Sequence, residues 1–236
     1  MKIVLIVFAV LVGLYIASLV YLVLTVGWFT SHWKDKTKTS SQRNEIVYVA
    51  LGDSAAQGVG AITANGGYVG QFAKRLEAKH GRPVRVINIS KSGAKVQDVI
   101  NDQLPLLKGY KADVITLDIG GNDIATFDAS RFKSEFTELV SKLPAGAYVA
   151  DVPFFGGRTQ LPFFGSGQAE KFVLIANEII VDVTKDKPLT VVPMHQVTKE
   201  RNGRQIWYYA PDYFHPNDLG YRAWTDAFWD SYTMVK

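Results

Sequence analysis

Residues 46–58 read Ile-Val-Tyr-Val-Ala-Leu-Gly-Asp-Ser-Ala-Ala-Gln-Gly. The first six residues are apolar and rich in β-formers, and Gly52 ends the run, so the pattern predicts a buried strand followed by a tight turn into a helix. Ser54 would then lie at the carboxyl end of a strand, where open α/β sheets place their ligands. Ser54 is therefore a candidate nucleophile, although Gly-Asp-Ser is also an ordinary turn and Asp and Ser are ordinary helix caps.

The chain beyond this stretch alternates between strand-like and helix-like segments. Most of the apolar runs are continuous enough for strands that are buried on both faces. Such runs occupy residues 46–51, 84–89, 114–119, 147–152 and 189–193. Helical patterns fill the gaps at residues 67–80, 96–107, 129–143 and 167–184, and a last one starts at 217. Strict alternation predicts an α/β fold with a parallel sheet and helices on both faces.

A second informative stretch is Asp-Tyr-Phe-His-Pro-Asn at residues 212–217. A serine hydroxyl needs a base to become a useful nucleophile, and the base needs a carboxylate to fix its tautomer. His215 and Asp212, three residues apart on one loop, could supply both.

Two glycine-rich turns offer hydrogen-bond donors. Asn-Ile-Ser-Lys-Ser-Gly ends at Gly93, and Ile-Gly-Gly-Asn-Asp contains Asn122; each turn follows an apolar strand-like run. An exposed glycine amide and an asparagine carboxamide are donor types that can stabilise a tetrahedral oxyanion.

In this order, the four blocks resemble the SGNH hydrolases, also called the GDSL esterase/lipase family. The resemblance covers roughly residues 45–236, and Ala55 stands where the family often has leucine. It implies a three-layer, flavodoxin-like sheet of five parallel strands. It also implies that Ser54 is the nucleophile, His215 the base and Asp212 its orienting partner. The oxyanion hole would consist of the Ser54 amide, the Gly93 amide and the Asn122 side chain.

Other functions remain open. The enzyme could be an acyl or acetyl esterase that acts on glycans, or its acyl-enzyme could pass the acyl group to a glycan hydroxyl, which would make the protein an acyltransferase. The same fold could also serve as a catalytically silent binding module. A glycosidase using two of Asp53, Asp118 and Asp123 ranks low, because it leaves the serine and histidine without roles.

Composition narrows the function classes further. The 236 residues carry a formal net charge of +4 and no cysteine, which excludes disulfides and a thiol nucleophile. The basic residues are dispersed, so we expect no nucleic-acid partner. Four scattered histidines without cysteine do not predict a metal site, and no cofactor is expected. The sequence gives no indication of the oligomeric state.

Residues 3–29 contain no charged side chain. At about 1.5 Å per residue, a helix over this run exceeds the roughly 30 Å of a bilayer core. A cleaved signal peptide is the alternative, but the run is longer than a secretory core and no Ala-x-Ala site follows. We therefore predict a transmembrane anchor at residues 1–33, a polar linker at 34–44 and a hydrolase domain at 45–236. The rings at its end suit the headgroup zone: Trp28, Phe29, His32 and Trp33.

The two signals for orientation disagree. More basic residues follow the apolar run than precede it, which would place the hydrolase domain in the cytoplasm. Anchored bacterial members of the family resembled usually face outward. We take the extracytoplasmic face as the prediction for this single-pass protein.

A duplicated Pro-Phe-Phe-Gly motif bears on the substrate. It contains Phe154 and Phe155 and, after a short spacer, Phe163 and Phe164. These rings could line the core, or they could form an apolar lip that binds an acyl chain. With the membrane anchor, the second interpretation favours lipid-derived esters such as lysophospholipids, or short acyl esters.

Two further groups of residues are expected to be structural. The stripe of Tyr221, Trp224, Phe228 and Tyr232 at helical spacing predicts core packing. Asn217 is expected to cap that helix directly behind His215. His80 suits a helix C-terminus, and His195, after the fifth strand, is given no role.

Overall fold

The protein folds around a sheet of five parallel strands. The computed structural model describes residues 2–37, 43–156 and 165–235. The strands are β1 (Ile46–Gly52), β2 (Val84–Asn88), β3 (Val114–Asp118), β4 (Tyr148–Ala150) and β5 (Thr190–Val192). Their order is β2-β1-β3-β4-β5, which confirms the flavodoxin-like arrangement.

β1 lies inside the sheet and is apolar on both faces. It pairs in parallel with β2, where Tyr48 opposes Val86, and with β3, where Tyr48 opposes Val114. Tyr48 and Ala50 belong to the core on one face of the sheet, and Val49 and Leu51 to the core on the other. A continuous apolar strand is therefore needed here, because alternate side chains fill two separate cores.

Helices cover the two faces and make three layers. The helices are α1 (Lys2–Thr37), α2 (Ser54–Gln57), α3 (Tyr68–His80), α4 (Val96–Asp98), α5 (Leu104–Leu107), α6 (Ala129–Lys142), α7 (Gly165–Thr184), α8 (Met194–Arg201) and α9 (Gly220–Val235). A π-helical segment, Val99–Gln103, joins α4 to α5. α3 and α9 pack on one face of the sheet, and α4 to α7 pack on the other.

α9 confirms the prediction of an aromatic core stripe. Its four rings are almost fully buried, and Tyr68 of α3 stacks on Phe228 with ring centroids 4.9 Å apart. The Asn217 side-chain oxygen accepts hydrogen bonds from the backbone amides of Leu219 and Gly220, as expected of a helix cap. The start of this helix is thereby held directly behind the loop that carries His215.

α1 is the one helix within the described ranges that is long and apolar enough to cross a membrane. The side chains of its first part are mostly exposed, but its last turns pack on the α/β domain. Phe29 and Trp33 join the core between α3, α9 and the sheet, and the Trp33 indole nitrogen donates to the Gln57 carbonyl at 3.0 Å. The interpretation of Phe29 and Trp33 as headgroup-zone rings is therefore wrong, because a side chain buried inside the domain is not available to lipid.

The predicted boundaries need three corrections. α1 runs to Thr37, so the first four residues of the predicted linker are helical; residues 38–42 lie outside the described part of the chain. β4 and β5 are shorter than their apolar runs. α8 was not predicted, since only Met194 and Thr198 of its eight residues are buried and it shows no apolar stripe.

Candidate active site

Ser54 lies at the end of β1, as the first residue of α2. The Asp53 carboxylate caps this short helix by accepting a hydrogen bond from the Ala55 amide at 2.9 Å. The turn before it needs glycine, because Gly52 has φ of +141° and a side chain there would collide with the Asp118 backbone oxygen. The strand and the turn together fix where the serine hydroxyl stands.

Gln103 also holds the turn before Ser54, a role that the sequence analysis missed. Its buried side-chain amide accepts from the Gly52 amide at 2.9 Å and donates to the Gly52 carbonyl at 2.8 Å. The signal was present in the sequence, since Gln103 falls on the apolar stripe of the 96–107 helix among valines, isoleucine and leucines. A polar residue on a buried stripe indicates a specific buried partner.

His215 reaches Ser54 from the loop that precedes α9. Its Nε2 atom lies 2.9 Å from the Ser54 Oγ atom, and its Nδ1 atom lies 2.6 Å from Asp212 Oδ2. The second oxygen of Asp212 accepts hydrogen bonds from the backbone amides of Phe214 and His215. The loop thus orients the acid and the imidazole together, and the three side chains form a continuous hydrogen-bonded chain.

The electrostatics of Asp212 suit a charged partner for the imidazole. Burial alone would raise the pKa of this carboxyl group, but the hydrogen bonds from the His215 ring and from the backbone amides of Phe214 and His215 outweigh it and lower the pKa. The carboxylate is therefore ionised near neutral pH. It can fix the imidazole tautomer and stabilise an imidazolium.

The two backbone donors predicted for an oxyanion lie on adjacent loops. The Ser54 amide is at the start of α2, and Gly93, with φ of +79°, is on the exposed loop after β2. Gln57 of α2 connects the two, since its side chain accepts from the Ser92 hydroxyl at 2.6 Å and donates to the Ser90 carbonyl at 3.2 Å. Neither amide donates a hydrogen bond to another group in the described ranges.

Asn122 lines the same cleft as Ser54 and His215. Its Nδ2 atom lies 3.1 Å from Asp53 Oδ2 and 3.0 Å from the Ala94 carbonyl, so both amide hydrogens have acceptors within the protein. These contacts were not predicted from the sequence. They place the carboxamide between the turn that carries Ser54 and the loop of Gly93.

The three aspartates considered for a glycosidase are buried or hold the backbone around them. Asp53 caps α2, and Asp123 accepts a hydrogen bond from the Val96 amide, so both carboxylates bond to backbone amides. Burial raises the pKa of Asp123 to about 6. Asp118 ends β3 and is buried.

The cleft at Ser54 continues into a small apolar cavity of about 80 Å³. Phe155 and Phe214 border both spaces, and their rings meet edge to face with centroids 5.9 Å apart. Ile124, Ala125, Ala169 and Phe172 complete the apolar wall next to Asn122. An apolar group bound there would lie beside the predicted oxyanion donors.

The structure divides the duplicated phenylalanine motif. Phe155 is buried and contributes to the core as well as to the cleft, whereas Phe154 is half-buried and packs against the His195 ring. Phe163 and Phe164 lie outside the described residues. For Phe155, burial favours the interpretation as core lining.

Glu170 and His195 hold the loop that contains Phe154 and Phe155, and the sequence analysis gave neither a role. His195 Nε2 lies 2.6 Å from Glu170 Oε1, while Glu170 Oε2 accepts hydrogen bonds from the Phe155 and Gly156 amides. Burial would raise the pKa of Glu170, but the hydrogen bonds from His195 and the two amides lower it. No local pattern marks this pair, because its members come from different helices.

Comparison with known proteins gives a consistent result. The model of the GDSL-like lipase/acylhydrolase family matches residues 50–223, which include all the residues of the cleft named above. The spore germination lipase LipC of Bacillus licheniformis is 25% identical over 201 residues, which cover 77% of this chain and 93% of that protein.

Solved structures show the same fold. TesA superposes with a TM-score of 0.64 at 19% identity, over 80% of this chain and 99% of that one. The acetylxylan esterase Axe2 of Geobacillus stearothermophilus has a TM-score of 0.61 at 17% identity, over 79% and 93% of the two chains. At these identities the likeness concerns the arrangement of the sheet and helices.

Proposed function

Because the chain belongs to the GDSL-like lipase/acylhydrolase family and is a carboxylic ester hydrolase, we propose that it works through a Ser54–His215–Asp212 triad and an acyl-enzyme. The observation that carries this proposal is the 2.9 Å contact between His215 Nε2 and Ser54 Oγ. A serine and an imidazole at this distance can exchange a proton without further movement.

In the first step, His215 Nε2 takes the proton of Ser54 as the hydroxyl oxygen attacks the ester carbonyl carbon. The imidazolium that forms is stabilised by Asp212 at 2.6 Å. The carbon–oxygen bond to the alcohol then breaks, and the alcohol leaves with the proton from His215. Water attacks the acyl-enzyme by the same route and releases the carboxylic acid.

The negative charge on the carbonyl oxygen is stabilised by the amides of Ser54 and Gly93 and by the Asn122 carboxamide. Asn122 can donate to this oxygen only if it releases or shares one of its two hydrogen bonds. Of the two, the bond to the neutral Ala94 carbonyl is the cheaper to exchange, because a bond to a carboxylate is the stronger kind. The oxyanion therefore replaces the Ala94 carbonyl as acceptor.

The substrate is an ester with an apolar acyl group. The cavity of about 80 Å³ beside Asn122 supports a short acyl chain, such as that of a small ester, and the longer chain of a lysophospholipid would extend beyond it. Acetyl esters of glycans are the second candidate substrate, and the small size of the cavity favours them. Hydrolysis of p-nitrophenyl esters of increasing chain length, alongside lysophospholipid and acetylated sugar, separates these substrates.

Membrane attachment through α1 is part of the proposed function. The most apolar 18-residue stretch of α1 contains no buried residue. A signal sequence would satisfy the same criteria of length and composition, but cleavage beyond α1 would remove Phe29 and Trp33 from the core. These buried rings support retention of the helix as an anchor. The extracytoplasmic orientation rests on the family resemblance alone.

Two experiments test these proposals. Ser54→Ala should abolish both ester hydrolysis and covalent labelling by a fluorophosphonate probe, while Ser141→Ala, at an exposed serine of α6 outside the cleft, should keep both. Labelling of the Ser54→Ala protein would contradict the assignment of the nucleophile. A C-terminal alkaline phosphatase fusion should be active, and activity of a cytoplasmic reporter at the same point would reverse the orientation.

A further inference from the structure

α1 changes its surroundings about half way along its length. Up to Tyr21 most of its large apolar side chains are exposed, and from Leu22 onward one stripe is buried against the hydrolase domain. This stripe contains Leu22, Thr25, Phe29 and Trp33, which recur at helical spacing. The domain is thus attached to the last turns of the helix and cannot rotate freely about it.

The exposed part of α1 projects from the edge of the sheet that carries the active site. The Tyr21 hydroxyl lies 3.5 Å from the Ile62 carbonyl, and Leu22 packs in a small cluster with Val59 and Ala210. Val59 and Ile62 are on the loop that leaves α2, and Ala210 is two residues before Asp212. The catalytic loops and the start of the exposed helix therefore lie side by side.

A groove of about 610 Å³ lies between this part of α1 and the loops of the active-site edge. Ser18, Tyr21 and Leu22 form one wall, and residues 60–62, 209–211 and 217–219 form the others. Most of this lining is apolar. The groove is larger than the cavity beside Asn122 and is separate from the cleft at Ser54.

The rim of the groove carries large apolar side chains that face outward. The exposed fraction is 75% for Ile62 and 45% for Leu219, and nearby Trp207 is 62% exposed. Exposed apolar groups clustered around a groove mark a binding surface for protein, ligand or membrane. Leu219 is next to the first residue of α9, so this surface is part of the rigid framework of the domain.

The length of α1 indicates that the lipid bilayer covers this surface. At about 1.5 Å per residue, the helix from Lys2 to Tyr21 is as long as a bilayer core is thick, roughly 30 Å. If this segment spans the membrane, Ser18, Tyr21 and Leu22 lie at the boundary between acyl chains and headgroups. The groove that they line then opens into the same leaflet.

We propose that the groove binds an acyl chain of a bilayer phospholipid and that the apolar rim inserts into the leaflet crossed by α1. This inference rests on the membrane anchor of the proposed function. It gives the hydrolase domain a fixed orientation, with its catalytic edge turned toward the membrane, so that ester groups near the bilayer surface are the ones within reach.

The absence of cysteine makes the proposal directly testable. Single cysteines labelled with bimane are introduced on the rim, as Ile62→Cys and Leu219→Cys, and as Phe8→Cys in the exposed half of α1. The matched control is Ala145→Cys, an exposed position on the loop that enters β4 at the opposite edge of the sheet. The full chain is reconstituted in phosphatidylcholine vesicles with and without bromine atoms on the acyl chains, and circular dichroism verifies that each variant is folded.

We expect the brominated chains to quench the labels at positions 8, 62 and 219 strongly and the label at 145 weakly. A further substitution, Ser18→Phe, places a ring in the groove, and among the described residues the Ser18 hydroxyl bonds to its own helix at Tyr15. It should reduce quenching at position 62 and leave position 8 unchanged.

The other outcomes each contradict a defined part of the proposal. If labels 62 and 219 behave like label 145 while label 8 is quenched, the anchor stands and the groove proposal is wrong. If Ser18→Phe does not alter quenching at position 62, the rim meets lipid but the groove does not hold an acyl chain. If label 8 is not quenched, the membrane anchor itself is wrong; ester hydrolysis is tested separately by the Ser54 variant.

Discussion

The protein contains two histidine–carboxylate pairs of nearly the same construction. In each, a histidine ring nitrogen lies 2.6 Å from one carboxylate oxygen, and the second oxygen accepts hydrogen bonds from two successive backbone amides. Asp212 and His215 lie three residues apart on one loop. Glu170 and His195 come from α7 and α8 and hold the loop of Phe154 and Phe155.

The pairs differ in the group that contacts the other side of the histidine ring. His215 has the Ser54 hydroxyl at 2.9 Å, whereas the His195 ring packs edge to face against Phe154. In both pairs, hydrogen bonds to the carboxylate lower its pKa. The two pairs therefore differ neither in the distance between the ring nitrogen and the carboxylate oxygen nor in the direction of the carboxylate pKa shift. A histidine and an acid in close contact therefore do not define a catalytic site, and the third partner decides the role.

The largest expected effect comes from removing each histidine in turn. His215→Ala should reduce kcat for p-nitrophenyl acetate by on the order of 10⁵ to 10⁶, because the serine loses its base. His195→Ala should cost at most about 10², since it acts only through the position of the phenylalanine loop. Similar losses in both variants, with both proteins folded by circular dichroism, would remove the distinction between the pairs.

Exchanging the acids should give the same ranking with smaller effects. Asp212→Asn is expected to lower kcat by on the order of 10⁴, because an amide cannot fix the required tautomer or stabilise the imidazolium. Steady-state kinetics measures the loss, with Glu170→Gln as the matched exchange in the other pair. An Asp212→Asn enzyme that retains nearly full activity would show that His215 works without its acid.

A substitution at Asn122 tests whether the cleft also supplies a hydrogen bond to the oxyanion, in addition to Ser54 and the pair of Asp212 and His215. Asn122→Ala should lower kcat by on the order of 10² to 10³, the usual result of removing one oxyanion donor. KM should change little if the interaction forms only in the transition state. A reduction of only a few fold would indicate that the carboxamide stays bound to Asp53 and Ala94 throughout the reaction.

The smallest effect is expected for the contribution of the Glu170–His195 pair to the free energy of unfolding. Glu170→Gln should lower the free energy of unfolding at pH 7 by about 1–3 kcal/mol, because the Phe155 and Gly156 amides lose a charged acceptor. Glu138→Gln is the matched control: its pair with Lys142 is exposed on both sides and should contribute no more than about 0.5 kcal/mol. Urea unfolding measures both.

The same variant has a defined pH dependence. The folded-state pKa of Glu170 lies below the ordinary value, so its contribution is complete above the unfolded pKa and is lost as the pH falls through the folded one. The difference in unfolding free energy between the wild-type protein and Glu170→Gln should therefore shrink on acidification below about pH 4. A difference that grows instead would contradict the lowered pKa.

Much of the fold and of the site could be predicted because the signals are local. Each strand is an apolar run, all but β5 lie next to a glycine-containing turn, and each of the four blocks of the predicted site is a short segment at a strand end or before α9. The convergence of the three blocks at strand ends follows from the topology, since the carboxyl ends of parallel strands share one edge. The placement of His215 beside Ser54 was implied by the family resemblance, because its loop does not follow a strand.

The unpredicted features depend on contacts between distant segments. α1 is apolar on every side, so its sequence does not indicate which face packs on the domain, and the burial of Trp33 was missed. Glu170 and His195 look like ordinary helix residues until the loop at Phe155 is placed between them. Asn122 was recognised as a donor, but its two internal acceptors are visible only in three dimensions.

The burial of Phe29 and Trp33 decides where the enzyme can be cut to obtain a soluble form. Expression from residue 45 onward, the boundary suggested by hydropathy, would leave a hole where two large rings fill the core; truncating even one such ring to alanine typically costs about 3–5 kcal/mol. A protein that begins shortly before Leu22 lacks the exposed apolar half of α1 and keeps the half that packs on the enzyme's core.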